Sequence, residues 1–223
     1  VFYFRDWPLE RAAGYSDCLE IVERLVKPHR DRLPDYKRRV RENWWRFEHT
    51  PAALEVALAG RSRFLAITSV SRTIMPAFLS TNVTLAHTAY GFVYDDDAHF
   101  AILSSSFHWW WAITHASTLR TDTRYTPTDC FETFPQPTTD DGLSRVGQAV
   151  EEHRRLLMVS RRLGLTKTYK KYNDRLEVTA EVTKLRDLHI KMDRVVAAAY
   201  GWTDLDLGHD FHDTKQGVRF TIS

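Results

Sequence analysis

The stretch Phe134-Pro135-Gln136-Pro137 constrains this chain more than any other. Each proline fixes φ and removes a backbone donor, and each drives the residue before it toward an extended conformation, so neither a helix nor a central strand passes through it. The two sides differ in pattern. Upstream, short β-rich runs alternate with short helical ones; downstream, apolar residues recur at helical spacing over positions 143–163 and 180–200. The expected architecture is α+β: a mixed-sheet domain with flanking helices over residues 1–137, then an all-helical domain over 138–223. With 223 residues, 43% of them hydrophobic, both parts can bury a core.

Upstream, Asp17 and Glu20 stand in capping-box relation ahead of Ile21, Val22 and Leu25, which predicts a helix over 17–27 before Pro28. Positions 36–47 read as a second, very basic helix carrying Trp44 and Trp45, and 51–59 as a third, stopped by Gly60. Strands are expected over 63–70 and 83–94. Positions 97–116 have the apolar density of one buried helix with Phe100, Leu103, Phe107, Trp110 and Trp111 on a shared face. An extended stretch follows over 119–125, Thr128 caps a brief helix, and the tail 217–222 alternates like a strand.

Several function classes are excluded by what is missing. Nothing approaches the about 18 uninterrupted apolar residues that a membrane helix needs, and Val1-Phe2-Tyr3-Phe4-Arg5-Asp6 is no basic, apolar leader. That opening looks like the inside of a strand, so the chain is expected to be a piece of a longer polypeptide. Cys18 and Cys130 have no CxxC spacing, which argues against a cysteine zinc site or a disulfide framework and fits a reducing cytoplasm. No glycine-rich strand-to-helix loop, GKS or GKT loop, or GxSxG turn is present, which speaks against a self-contained nucleotide enzyme or hydrolase. His209-Asp210-Phe211-His212-Asp213 gathers imidazoles and carboxylates, but with no third cluster nearby it reads as a solvated turn. Asp95-Asp96-Asp97 reads as a turn that places negative charge at a helix N-terminus. No catalytic and no metal-binding residues are expected.

The net charge of +2 hides an uneven distribution. From Arg24 to Arg46, nine Lys or Arg face three acids; from Arg154 to Arg175, eight face Asp174 alone. Trp109, Trp110 and Trp111 turn about 100° apart on a helix, so they cannot share one ligand, and two are expected in the core. Trp44 and Trp45 beside Lys37, Arg38, Arg39 and Arg41 make a better case for a surface that meets a polyanion. The stretch Leu119-Arg120-Thr121-Asp122-Thr123-Arg124-Tyr125-Thr126 is the most suggestive chemically. Arginine bonds two acceptors on a guanine edge, aspartate accepts from the cytosine amine, and positions 120, 122 and 124 of an extended segment point to one side. The same pattern also reads as a surface ion-pair ladder of little energetic weight.

Several motifs in order carry a resemblance. Phe4-Arg5-Asp6-Trp7-Pro8-Leu9-Glu10, Lys27-Pro28, Trp44-Trp45, Ser104-Ser105-Ser106-Phe107-His108, Leu119-Arg120, and Arg124-Tyr125 through Cys130-Phe131-Glu132-Thr133-Phe134-Pro135 resemble the target recognition domain of MmeI-like, type IIL restriction-modification enzymes and related adenine DNA methyltransferases. Arg161-Arg162-Leu163-Gly164-Leu165, Ala197-Ala198-Ala199-Tyr200-Gly201-Trp202 and Leu205-Asp206-Leu207-Gly208-His209 resemble that family's C-terminal helical region. The resemblance implies sequence-specific recognition of double-stranded DNA by a fragment that has no methyltransferase or nuclease activity alone. S-adenosylmethionine would belong to a methyltransferase domain elsewhere in the same polypeptide, which flips the target adenine. By the family motif, Arg120 and Asp122 form a charged pair that reads one base pair, G·C by their chemistry, and Arg124 is another reading position. Arg72, His87 and Thr88 are further candidates. Lys37, Arg38, Arg39 and Arg41 would then contact phosphate, which positions the protein without specifying bases. The rival expectation is a protein-docking module whose helical region and Trp-rich helix bind other subunits without reading DNA.

Overall fold

The computed structural model describes residues 2–48, 52–119 and 122–223. It contains two units, Val1–Ala57 and Leu58–Ser223. The architecture is α+β.

The first unit strings together short helices: α1 (Leu9–Ala13), α2 (Ser16–Leu25), α3 (Lys27–Arg30), a 3-10 turn at Asp35–Lys37, α4 (Arg38–Glu42) and α5 (Ala52–Ala57). Pro28 restarts the chain as α3, and Pro34 precedes the 3-10 turn. Helix α2 begins one residue before the expected capping box, with Tyr15 at its N-cap and no side-chain cap bond. The single basic helix expected over 36–47 is interrupted for a physical reason. The Arg30 guanidinium donates to the carbonyls of Asn43 and Trp44, at 3.4 and 3.1 Å, and to that of Arg46, so α4 ends at Glu42 with these acceptors satisfied from outside.

In the second unit, β1 (Arg63–Thr68) is central to an antiparallel sheet of order β3-β1-β4, with β3 at Ala77–Ser80 and β4 at Ala89–Phe92. Leu65 faces Phe78 on one side and Phe92 on the other. A second antiparallel sheet of order β2-β6-β5 joins Val70–Ser71, Asp122–Arg124 and Ser117–Leu119. The expected mixed sheet is thus replaced by antiparallel pairings, because no helix lies between β1, β3 and β4 to make a parallel crossover. Of the strand expected over 83–94, only β4 forms.

The helix expected over 97–116 is two helices, α6 (Asp97–Ser104) and α7 (Ser106–His115). Ser105 divides them with an extended ψ of 157°. Its hydroxyl donates to the Ile102 carbonyl at 2.7 Å and accepts from the His108 amide at 3.3 Å, so one side chain closes α6 and caps α7. Asp193 completes the cap by accepting from the Ser106 amide at 2.8 Å. Asp96 caps α6 in turn, while Arg61 pairs with Asp95 and Arg63 with Asp97. The triple aspartate is a helix start, as its position suggests.

Helices α8 (Asp141–Ser160), α9 (Leu165–Tyr172) and α10 (Ala180–Ala199) follow. Gly147 lets α8 lie against the start of α6, where a Cβ would overlap the Asp97 carbonyl. Leu143, Val146, Val150, Met192 and Val196 therefore join Phe100, Leu103 and Trp109 in one core that runs across position 137. Gly164 precedes α9 in extended conformation, at its N-cap. The expected all-helical region also ends in a hairpin, β7 (Asp210–Thr214) and β8 (Gly217–Thr221); the polar composition of β7 concealed it. No helix among the described residues is long and apolar enough to cross a membrane.

Candidate nucleic-acid interface

The second sheet positions most of the candidate reading residues. In β6, Thr123 is buried at 2% exposure and its hydroxyl accepts from Gln216 Nε2 at 3.0 Å. Its neighbours Asp122 and Arg124 share the opposite face, and Arg124 is exposed. Tyr125 fixes the strand's end: its amide donates to the Ser69 carbonyl at 2.8 Å, and its hydroxyl lies 3.1 Å from His108 Nε2. His108 Nδ1 donates to the Leu103 carbonyl at 2.8 Å, so Nε2 accepts from the tyrosine. Burial pushes this imidazole down to about 4, which keeps it neutral near pH 7, and burial pushes the Tyr125 phenol up.

Arg72 follows β2 directly and places Nε 2.8 Å from Asp122 Oδ1; the two side chains are 55% and 44% exposed. An ion pair that open is worth at most about 1 kcal/mol. Thr88 is tied to the residue before β2 through its carbonyl, which accepts from the amide and hydroxyl of Ser69 at 2.8 and 3.0 Å. His87 is exposed in the turn just before it. Arg72, Asp122, Arg124 and Thr88 thus converge through residues 69–72, whereas Arg120 lies outside the described residues. The sequence pattern joined Asp122 to Arg120; the partner observed is Arg72, across 50 positions of chain.

The expected phosphate-binding residues lie in the first unit and are mostly paired there. Lys37 bonds Glu48 at 2.9 Å, Arg38 bonds Glu42 at 2.6 Å, and Arg41 reaches Asp35 and the Leu33 carbonyl, both at 3.2 Å. These pairings raise the Lys37 and Arg38 pKa values through the hydrogen bonds to Glu48 and Glu42. Arg39 is exposed, with no carboxylate partner among the described residues. The aromatic-basic surface expected around Trp44 and Trp45 is turned inward: Trp44 is buried under the Lys27 ammonium, and the Trp45 indole donates to the Trp7 carbonyl at 2.9 Å. Trp109 is likewise core, with Trp110 and Trp111 packed against core clusters.

The second basic segment is divided in use. Arg154 is buried and donates to the Pro76 carbonyl at 2.9 Å, and Lys171 and Arg161 pair with Glu177. Bonds from Lys171 and Thr179 hold the Glu177 carboxyl down at about 2. Arg155, Arg162, Lys167 and Lys170 remain exposed. His209 bonds Asp193 Oδ2 at 2.9 Å and so supports the α7 cap, while His212 donates to the Gly208 carbonyl at 2.8 Å. No cluster of three metal-ligating side chains occurs among the described residues. Sequence reasoning missed the buttress formed by Gln216 and Arg219; only the alternation of the tail pointed toward it.

Comparison with known proteins places this arrangement. A solved structure, described as that of the type IIL restriction-modification enzyme MmeI in complex with DNA, shares the fold with a TM-score of 0.61 at 17% identity. The similarity covers 96% of this chain and 26% of that one. Residues 5–138 match the family model for the MmeI target recognition domain, and the chain belongs to that family. No match is found among curated protein sequences.

Proposed function

We propose that this chain recognises a specific sequence in double-stranded DNA as the C-terminal part of an S-adenosylmethionine-dependent adenine DNA methyltransferase of a type IIL restriction-modification system. The observation that carries the proposal is the exposed face of β2 and β6, which presents Arg72, Asp122 and Arg124 within a target recognition domain family. The Arg72 guanidinium matches the O6 and N7 acceptors of guanine, and the Asp122 carboxylate matches the amine of the paired cytosine, so together they address one G·C pair. Arg124, Thr88 and His87 extend the reading edge, with Arg120 as a further position. Lys37, Arg38, Arg39 and Arg41 serve affinity rather than specificity, by exchanging their carboxylate partners for phosphates.

Because the chain matches only 26% of the MmeI structure, we assign the methyltransferase chemistry, and any nuclease, to other parts of the same polypeptide. There S-adenosylmethionine binds and the adenine leaves the stack. As a reader of intracellular DNA, the protein would act in the cytoplasm. The division of labour proposed is that residues 1–137 read DNA and 138–223 brace the reader.

The test is to express the parent polypeptide in a methylation-free host and map modified adenines by single-molecule sequencing, with and without an Arg72→Asp, Asp122→Arg exchange. The expected result is one methylated motif whose preference changes at one base pair in the exchanged protein. A motif that does not move removes Arg72 and Asp122 from base reading. The docking reading draws on α2, which buries none of its residues and leaves Leu25 exposed. Partner binding with no affinity for duplex DNA at low salt would favour it.

A further inference from the structure

Helix α9 and the β7–β8 hairpin leave between them a groove of about 500 Å3, lined by Arg72, Thr166, Lys170, Asn173, Asp174 and Arg219 among others. Two of its cations are unusually placed. Arg219 Nη2 donates to the Arg72 carbonyl at 3.2 Å, while its Nε is buried with no hydrogen-bond partner, and the guanidinium has no carboxylate partner among the described residues. Burial, and then the neighbouring Arg72 charge, lower its pKa. Lys170 stands exposed on the α9 wall, also without a carboxylate partner among the described residues. Asp174 is the opposing charge, but its Oδ1 is engaged by the Leu176 amide at 3.0 Å in the loop after α9. Asn173 is engaged at both side-chain atoms: its Oδ1 accepts from the Phe220 amide at 3.0 Å and its Nδ2 donates to the Tyr169 carbonyl at 2.8 Å. A partly desolvated guanidinium beside a second guanidinium, with Lys170 lining the same groove, makes an oxyanion held between Arg219 and Lys170 favourable.

We infer that this groove binds a backbone phosphate of duplex DNA, held by Arg219 and Lys170 beside the base pair that Arg72 and Asp122 face. The inference rests on the DNA-reading proposal and gives the hairpin a second role besides bracing Thr123. The ligand chemistry is a phosphate oxyanion. The groove is open and far larger than one free phosphate, and one of its walls is Arg72 itself, whose side chain reaches Asp122 on β6. Both favour a phosphodiester carried in by the duplex over a free ion. The site also accounts for part of the second basic segment, since Lys170 belongs to it and Lys171, one position on, is held by Glu177 at 2.6 Å.

The test compares the unaltered protein with Lys170→Ala and Lys170→Ala/Arg219→Gln, using a random-sequence duplex pool and inorganic phosphate as probes. Lys170 makes no described side-chain bond, so its loss leaves folding intact where Arg219→Gln alone could disturb it. The expected result is weaker binding to all duplexes alike. The salt slope of log K should flatten by about one unit for the double variant, since one phosphate is held, and by part of that unit for the single variant, with ranked sequence preference unchanged. Unchanged affinity and slope in Lys170→Ala would overturn the site. Phosphate binding that is lost in the variants while duplex binding persists would show a small-anion site and also overturn it. Failure of the parent reading is separate: the unaltered protein would then show no sequence preference, whatever the variants do.

Discussion

The two units use arginine differently, and the difference separates structural charge from displayed charge. In Val1–Ala57, helices α2, α3 and α4 bury no residue, and Phe4, Ala12 and Trp44 are the main buried apolar groups. Directional bonds stand in for a core. Arg30 collects three carbonyls, Arg46 donates to Trp7, and Arg11 and Lys27 lie over indoles. In Leu58–Ser223 an apolar core does that work, and its buried cations plug gaps: Arg154 at Pro76, and Arg186 on four carbonyls around the α9–α10 loop. A segment of under about 60 residues buries too little apolar surface to do likewise. A basic run in such a segment is therefore partly an internal scaffold, and its charge total overstates what faces a polyanion.

The contrast is most easily broken at Phe100. This fully buried ring stacks on Phe78 and lies under Arg154, so Phe100→Ala should cost about 3–5 kcal/mol, seen as a lower denaturant midpoint and faster hydrogen exchange confined to residues 58–223. Acid acts on the same unit, and taken one histidine at a time its effect comes next. His108 and His189 are held at about 4 by burial, Asp193 and Arg154 opposing each other as weaker influences on His189. The unfolded chain takes up protons near pH 6.5, whereas the folded chain resists until about 4. Stability present above 6.5 is thus lost as pH falls toward 4, by about 3 kcal/mol per histidine. Equal acid sensitivity of exchange in residues 2–57, where His29 is exposed, would contradict the assignment. The smallest effect belongs to Arg30→Ala, about 1.5 kcal/mol for its partly exposed bonds, localised by hydrogen exchange to residues 27–46. If it matched Phe100→Ala, the two units would not differ in kind.

What the sequence made legible was local. Helix α10 was evident to within a residue, because Val182, Leu185, Met192 and Val196 mark its face through neighbours three and four positions apart. Alternation likewise placed Asp122 and Arg124 on one face of β6. Non-local facts were hidden. The Ser105 break depends on Asp193, 87 positions from Ser106; the Thr123 anchor comes from Gln216, 93 positions away. The outward or inward fate of each basic residue was equally hidden, since Arg30 and Arg39 look alike until the carbonyls around Arg30 are folded into place.

The alternation along β6 has a consequence for how such chains diversify. Thr123 is locked by Gln216 and Tyr125 by His108, while Asp122 and Arg124, on either side of Thr123, face outward. Anchors and displayed side chains interleave at every second position. A lineage can therefore rewrite the displayed letters while the interleaved anchors keep the strand in register, so divergence among descendants should appear as a saw-tooth of variable and constant positions.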